Sequence, residues 1–406
     1  MQIIELIEAT GAKVLAEVDK DLDVKISTDT RTIQKGDFYL PLKGASFDGE
    51  KFINQAFEKG AIGAFCTGDN GTLQVKDTLT AYLQLANYRR KKLNFTVVAI
   101  TGSSGKTTTK ELAASVLSEK FRTFKTPLNH NNEIGFCQTI FEAPDDTEIL
   151  VLEMGMRGLG EIELLSKYAE PDITIISNVG TAHIGRLGSR ENIAKAKCEI
   201  VKYQRGNIFI AHDDELIKKT EQFSGKKIFY SIKDVKILEK DTHYSKFEYY
   251  GNIYELNVGG DYNIENALSA INTGLALRMK VNEIQSGLKK YAPIEKRWEA
   301  VNAGGFEIIN DSYNANPESM RAFIDTIFEL YEKPVVILGD MGELGEDEIK
   351  YHSELGKYIN SHKNLRQDAE ILSIGKLSKY ITDGVTNCPA KHFETIEQAV
   401  DYIKNK

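Results

Sequence analysis

"ITGSSGKTTTKE", residues Ile100 to Glu111, reads as a phosphate-binding loop in a shortened form. The usual loop places four residues between its first glycine and Gly-Lys. Here only Ser103 and Ser104 separate Gly102 from Gly105. "NFTVVAI", just before it, is a β-branched apolar run with the pattern of a buried strand. Leu112, Val116 and Leu117 then recur at helical spacing. Strand, glycine turn and helix together are the context in which such a loop holds phosphate. Gly102 and Gly105 would let backbone N–H groups approach phosphate oxygens, and the helix starting near Lys106 would aim its positive end at them. The Lys106 ammonium would face the β- and γ-phosphates, the Thr107 hydroxyl would reach a Mg²⁺ ion, and Ser103, Ser104 and Thr108 would lie at the nucleotide. The competing reading is an ordinary glycine turn before a helix with solvated Lys106 and Thr107.

A chain of 406 residues exceeds one ordinary core, so two or three domains are expected. A formal charge of −8 argues against a general nucleic-acid binder, which needs a basic face. No apolar run approaches the roughly 20 residues that cross a bilayer. "MQIIELIEATGAKV" lacks a basic stretch followed by an apolar one, so no secretory signal is expected. Cys66, Cys137, Cys198 and Cys388 form no Cys-x-x-Cys pair and read as reduced thiols of a cytoplasmic protein.

The chain reads as α/β in three domains. Residues 1–77, with short strands and many turns, suggest a small mixed α/β domain. Residues 78–292 alternate strand and helix, the pattern of a mostly parallel sheet covered on both faces. The strand candidates are "EILVLEM", "ITIISNV" and "NIFIAH", with β-hairpin material in "YSKFEYYGNIYELNVGGDYN". Residues 293–406 restart the alternation with "FEIINDS", "KPVVILGDM" and "AEILSIG", a smaller Rossmann-like unit.

Several residues could carry chemistry, each with a bland alternative. Glu153 ends a strand, where a Mg²⁺ ligand belongs beside a phosphate loop, or where a carboxylate meets solvent. His183 in "SNVGTAHIGRLGS" is a second candidate ligand or a structural histidine. Lys195 and Lys197 in "ENIAKAKCEI" read as solvated helix lysines. Asn266, at the start of "DYNIENALSAINTGLAL", could contact a ligand or support the helix start. Arg297 could clamp phosphate or pair across a domain junction. Asp311 could hydrogen-bond a ribose or serve a turn.

Taken in order, Lys106, Thr107, Glu153, His183, Asn266, Arg297 and Asp311 resemble the Mur ligases, the ATP-dependent amide-bond formers of peptidoglycan synthesis, which share the shortened Gly-x-x-Gly-Lys-Thr loop. "NHNNEIG", "EMGMRGLGEI", "NVGTAH", "YNANPESM" and "LGDMGELG" resemble the branch that joins D-alanyl-D-alanine to UDP-N-acetylmuramoyl-tripeptide. The Asp-Asn-Pro-Arg motif of the branch that adds the third amino acid is absent. "GDYNIEN" carries Tyr262 where many relatives have His. The resemblance implies ATP and two Mg²⁺ ions. Thr107 and Glu153 would serve the first ion, and His183 and a carbamylated Lys197 the second. Asn266 would lie near the adenine, Arg297 on the phosphates and Asp311 at the ribose. Ser27, Asp29, Arg31 and Asp48 would hold the UDP end. Asn129, Asn131 and Asn132 would line the sugar-peptide path, with Tyr313, Asn314 and Asn316 also at substrate. The reaction would pass through an acyl phosphate, in a cytoplasmic protein expected to act as a monomer. The competing classes are a sister ligase that adds one amino acid, a folylpolyglutamate synthase-like ligase, a nucleotide switch, and a non-catalytic protein that kept the fold.

Overall fold

A computed structural model describes residues 1–44 and 47–405. The chain divides into two compact units, Met1–Phe95 with His130–Asp146, and Thr96–Asn129 with Thr147–Lys406. The first holds a five-stranded sheet in the order Lys13–Val14, Leu73–Gln74, Gly63–Cys66, Phe38–Tyr39, Ile26–Ser27. Only its first pair is antiparallel. Phe38 and Phe65 meet edge to face at 5.3 Å in its core.

Helix Thr78–Leu93, expected to open the central domain, packs in the first unit instead. Asp77 caps it by accepting from Thr80 N at 2.7 Å, and Asn94 ends it in a left-handed conformation, φ +52°. Tyr82 stacks on Phe141 at 5.5 Å, Arg89 donates to Ala143 O at 2.9 Å, and Lys92 pairs with Glu5 at 2.5 Å. The helix buries Tyr82, Leu83, Leu85 and Ala86. That apolar burial makes it part of this core, so the chain leaves the unit one helix later than the boundary expected near Asp77.

The second unit is built on six parallel strands, in the order Lys226–Tyr230, Ile208–His212, Ile173–Ile176, Thr96–Thr101, Ile149–Glu153, Thr123–Lys125. All three expected central strands are present. From Thr96–Thr101 the chain passes to the edge strand Thr123–Lys125 and returns to Ile149–Glu153 between them, and from Ile173–Ile176, on the other side of Thr96–Thr101, it builds outward through Ile208–His212 to Lys226–Tyr230. Such a reversal of strand order opens a crevice at the carboxyl ends, where ligands bind in open parallel sheets. Helix Lys106–Leu117 covers the sheet and packs on helices Asp261–Ala276 and Val281–Lys290. A Cβ on Gly287 would lie 2.4 Å from Val116 Cα, so only glycine allows this approach. The expected hairpin is Ser245–Tyr249 with Asn252–Leu256, joined by Lys236–Lys240 in a three-stranded antiparallel sheet.

"FEIINDS" is a strand, as expected, but its partner is local. Phe306–Asn310 pairs antiparallel with Glu299–Ala303 through Gly304 and Gly305, φ +60° and +83°. Positive φ at both central residues suits the tight hairpin turn that matches strand twist. The last parallel sheet is therefore three strands, Val335–Leu338, Glu370–Ile374 and Ala390–Phe393. All four cysteines are buried and free. Among the described residues no helix is long and apolar enough to cross a membrane.

Candidate active site

The phosphate loop lies at the reversal of strand order, between Thr96–Thr101 and helix Lys106–Leu117. Its shape is held from behind by the next strand end. Asn178 Oδ1 accepts from Ser103 N at 3.2 Å and Ser104 N at 2.9 Å, and Ser177 Oγ donates to Ser104 O at 2.6 Å. Gly180 N donates to Ser103 Oγ at 2.9 Å. A Cβ on Gly102 would lie 1.8 Å from Ser177 Oγ, and one on Gly105, φ +74°, would lie 2.4 Å from Asn266 Oδ1. The two serine amides are thus engaged within the protein. Gly105 supplies no side-chain cap to the helix, so the N–H groups of its first turn remain for an anion.

Around that turn stand charged groups from distant parts of the second unit. Lys106 Nζ donates to Gly102 O at 2.9 Å. Burial pushes the Lys106 pKa down, the Glu153 carboxylate opposes that shift, and the Arg297 guanidinium adds to it. Arg297 lies over the Tyr313 ring at 4.0 Å, and its buried Nε has no hydrogen-bond partner among the described residues. A guanidinium so placed is ready for an anionic ligand. Thr107 and Thr108 are buried at the helix start, and Asn266 Oδ1 accepts from Thr109 Oγ1 at 3.2 Å.

Glu153 ends its strand buried, with its backbone N–H on Thr126 Oγ1 at 3.0 Å. Lys110, absent from the sequence expectations, sits 3.8 Å from Glu153 Oε2. Its position four residues after Lys106 was the available signal, since i and i+4 share a helix face. Asn178 was also missed, although a polar residue at the next strand end was readable as loop support.

His183 Nδ1 lies 2.5 Å from Glu343 Oε2. Burial lowers the His183 pKa, Glu343 raises it, and Lys197 and Lys106 lower it. Lys197 is 1 % exposed, whereas Lys195 is exposed, a contrast that sequence alone did not provide. Burial, then the Lys106 charge, hold the Lys197 amine well below the ordinary lysine range. Among the described residues its Nζ makes no hydrogen bond or ion pair. Glu318 also reaches this loop, accepting from Thr181 N at 3.0 Å and Thr181 Oγ1 at 2.8 Å.

Asp311 accepts from Tyr262 Oη at 3.1 Å and from Trp298 N at 3.3 Å. Burial raises its pKa, and the Tyr262 hydrogen bond opposes that rise. Trp298 is buried, with Nε1 on Thr242 O at 2.8 Å. Tyr313 and Asn314 are exposed, while Asn316 is buried and caps helix Pro317–Leu330, accepting from Ser319 N at 2.9 Å.

The other expected substrate residues are divided between the units. In the first, Arg31 forms a two-pronged pair with Asp29, its Nε 3.0 Å from Oδ1 and Nη2 2.6 Å from Oδ2. That pairing draws the Asp29 pKa down to about 2. Ser27 Oγ donates to Asp29 O at 3.3 Å. Asp48 caps the short helix Gly49–Phe52, and Phe47 and Phe52 stack in the open at 5.6 Å. "NHNNEIG" straddles the division: Asn129 ends a stretch of the second unit, while Asn131 and Asn132 belong to the first. Asn132 caps helix Glu133–Glu142 by accepting from Gly135 N at 2.9 Å.

The fold and this site define an α/β protein with a phosphate loop and converging cations, suited to bind a nucleoside polyphosphate. Residues 100–274 match the Mur ligase middle domain, and residues 296–406 match the Mur ligase glutamate ligase domain. The chain is 37% identical to a UDP-N-acetylmuramoyl-tripeptide–D-alanyl-D-alanine ligase of Bacillus subtilis, over 91% of this chain and 83% of that protein. A Synechocystis protein of the same name is 36% identical, over 83% and 76%. In structure the chain is similar to MurF from Acinetobacter baumannii, with a TM-score of 0.89 and 29% identity, covering 100% and 92% of the two chains. It is also similar to the MurF ligase from Thermotoga maritima in complex with ADP, with a TM-score of 0.84 and 27% identity, covering 96% and 92%. The chain belongs to the Mur ligase family.

Proposed function

We propose that this protein joins D-alanyl-D-alanine to UDP-N-acetylmuramoyl-tripeptide, converting ATP to ADP and phosphate, in the cytoplasm. The observation that carries the reading is the phosphate loop itself: the first turn at Lys106 has no side-chain cap, and Gly102 and Gly105 leave no room for a side chain. Its relatives' shared name identifies the acid and the amine.

The chemistry follows from the charges. A carboxylate resists attack by an amine, because oxide would have to leave. Transfer of the γ-phosphoryl group to the carboxylate makes an acyl phosphate and releases ADP. The D-alanyl-D-alanine amine then attacks the acyl carbon, phosphate departs with the C–O bonding pair, and the new amide loses a proton. Phosphoryl transfer needs positioning and charge neutralisation more than covalent help. Lys106 and the N–H groups of its turn would hold the β- and γ-phosphates. Arg297, whose Nε has no partner among the described residues, would close on them from the last segment. Asp311 would take the ribose and Asn266 would lie toward the adenine.

Thr107 and Glu153 offer the hard oxygen donors that suit Mg²⁺ alongside phosphate. At His183 the fit depends on Lys197. A buried ammonium there repels a cation, whereas its carbamate would present two oxygens. The depressed pKa makes the neutral amine available to add CO₂. Bound Mg²⁺ supplies charge neutralisation between nucleotide and acid. The first unit would carry the UDP end through Ser27, Asp29, Arg31 and Asp48, and the second unit would carry the nucleotide, with Arg297 closing on it. Asn129, Asn131, Asn132, Tyr313, Asn314 and Asn316 would face the acid and amine substrates. Capping by Asp48, Asn132 and Asn316 occupies one oxygen of each side chain and leaves the rest of its hydrogen-bonding capacity.

The test is Lys106→Ala. The variant should fold, bind ADP weakly by calorimetry, and lose roughly 100- to 1,000-fold in ligase rate. Near-normal turnover at saturating ATP would remove the loop from the mechanism.

A further inference from the structure

Lys110 is one of the largest fully buried side chains of the protein, at 1 % exposure. Lysine is almost never buried to this degree unless paired. Its three N–H donors meet a prepared set of acceptors. Nζ donates to Thr126 O at 2.9 Å and Leu128 O at 3.1 Å, and lies 3.3 Å from Glu111 Oε1 and 3.8 Å from Glu153 Oε2. Thr126 is itself tied to Glu153, whose backbone N–H it accepts. Leu128 has φ +46° and is 80 % exposed. A branched apolar residue in that conformation and that exposure has no local reason to stay there. Its carbonyl is held by Lys110, and the next residue is Asn129, the last of this stretch before the chain enters the first unit.

We propose that Lys110 is a positioning residue for both halves of the reaction. It fixes the Glu153 carboxylate on the nucleotide side, and it pins the Leu128–Asn129 turn on the side of the acid substrate. One ammonium on the phosphate-loop helix thereby sets the distance between the two. The inference rests on the proposed function above, and it assigns a role that the phosphate loop does not require.

The experiment compares Lys110→Met and Lys110→Arg with Glu153→Gln in the intact protein. Mn²⁺ binding in the presence of ADP is read by electron paramagnetic resonance, apart from activity. KM values for the UDP-sugar tripeptide and for ATP are measured in parallel. Lys110→Met should weaken Mn²⁺ binding about tenfold. It should raise the sugar-peptide KM by a similar factor, and leave metal-free ADP affinity unchanged. Lys110→Arg should recover part of both losses. Wild-type Mn²⁺ affinity and sugar-peptide KM in a folded Lys110→Met protein would overturn the proposal. So would a loss that arginine does not reduce. If Lys110→Met does not fold, Lys110→Arg carries the test. Its longer planar head should move both quantities by about threefold or more, and wild-type values for both would overturn the proposal. Glu153→Gln separates the readings. Unchanged Mn²⁺ binding there rejects Glu153 as a metal ligand, whereas weakened binding there with a normal Lys110→Met protein rejects only the role of Lys110.

Discussion

His183 and Glu343 meet at 2.5 Å, and both hold left-handed backbone, φ +67° and +61°. Each such non-glycine residue costs of order 1 kcal/mol and persists where its surroundings hold it. The surroundings are tight. Gly185 N donates to Glu343 O at 3.1 Å, and a Cβ on Gly185 would lie 2.4 Å from Gly345 N. The loop after strand Ile173–Ile176 and the "LGDMGELG" loop are locked together at a candidate metal ligand.

Glu343→Ala should therefore lower ligase rate by roughly 10- to 100-fold, the range seen when the partner of a metal-binding histidine is removed. The half-saturating Mg²⁺ concentration should rise, with little change in the KM for ATP. A normal Mg²⁺ requirement would make the contact merely structural.

Tyr262→Phe tests the Asp311 arrangement by its pH dependence. The Tyr262 hydroxyl favours the ionised carboxyl and opposes the rise that burial causes. Without it the Asp311 pKa rises further, so ionised Asp311 is lost at higher pH as pH falls. ADP affinity measured by calorimetry should be near normal at pH 8. Its acid limb should begin at higher pH than in the wild type. Superimposable pH profiles would place Asp311 outside the nucleotide site.

Gly105 and Gly160 both have positive φ, +74° and +86°, but only Gly105 faces a close neighbour, Asn266 Oδ1. Gly160→Ala should cost about 1 kcal/mol from backbone strain alone. Gly105→Ala should cost more and also abolish ADP binding. Equal melting temperatures for the two variants would contradict the account of the loop.

Much of this was legible in the sequence because it is local. The Gly-x-x-Gly-Lys-Thr spacing, the apolar run before it and the strand-ending Glu153 all lie where the pattern placed them. What was not legible depends on long-range contacts. Nothing in "ENIAKAKCEI" separates Lys197 from Lys195 until burial does. The sequence of Thr78–Leu93 reads as a helix but does not say which core receives it. The resemblance makes Asp48, Asn132 and Asn316 ligand residues, and the structure shows each capping a helix, since the same side-chain types suit both purposes.

Lys197→Ala should lose activity, and acetate or formate should restore part of it by supplying oxygens where the carbamate would stand. Lys195→Ala should remain active and unaffected by the acids. A fully active Lys197→Ala enzyme would remove the carbamate from the site.

The central claim is the joining of two particular substrates, and the direct measurement is phosphate release by the purified protein with Mg-ATP across a panel of acids and amines. The account predicts release only when UDP-N-acetylmuramoyl-tripeptide and D-alanyl-D-alanine are both present, with one pentapeptide product formed per phosphate. Release with a single amino acid as the amine, with a folate as the acid, or with no acid at all would contradict it.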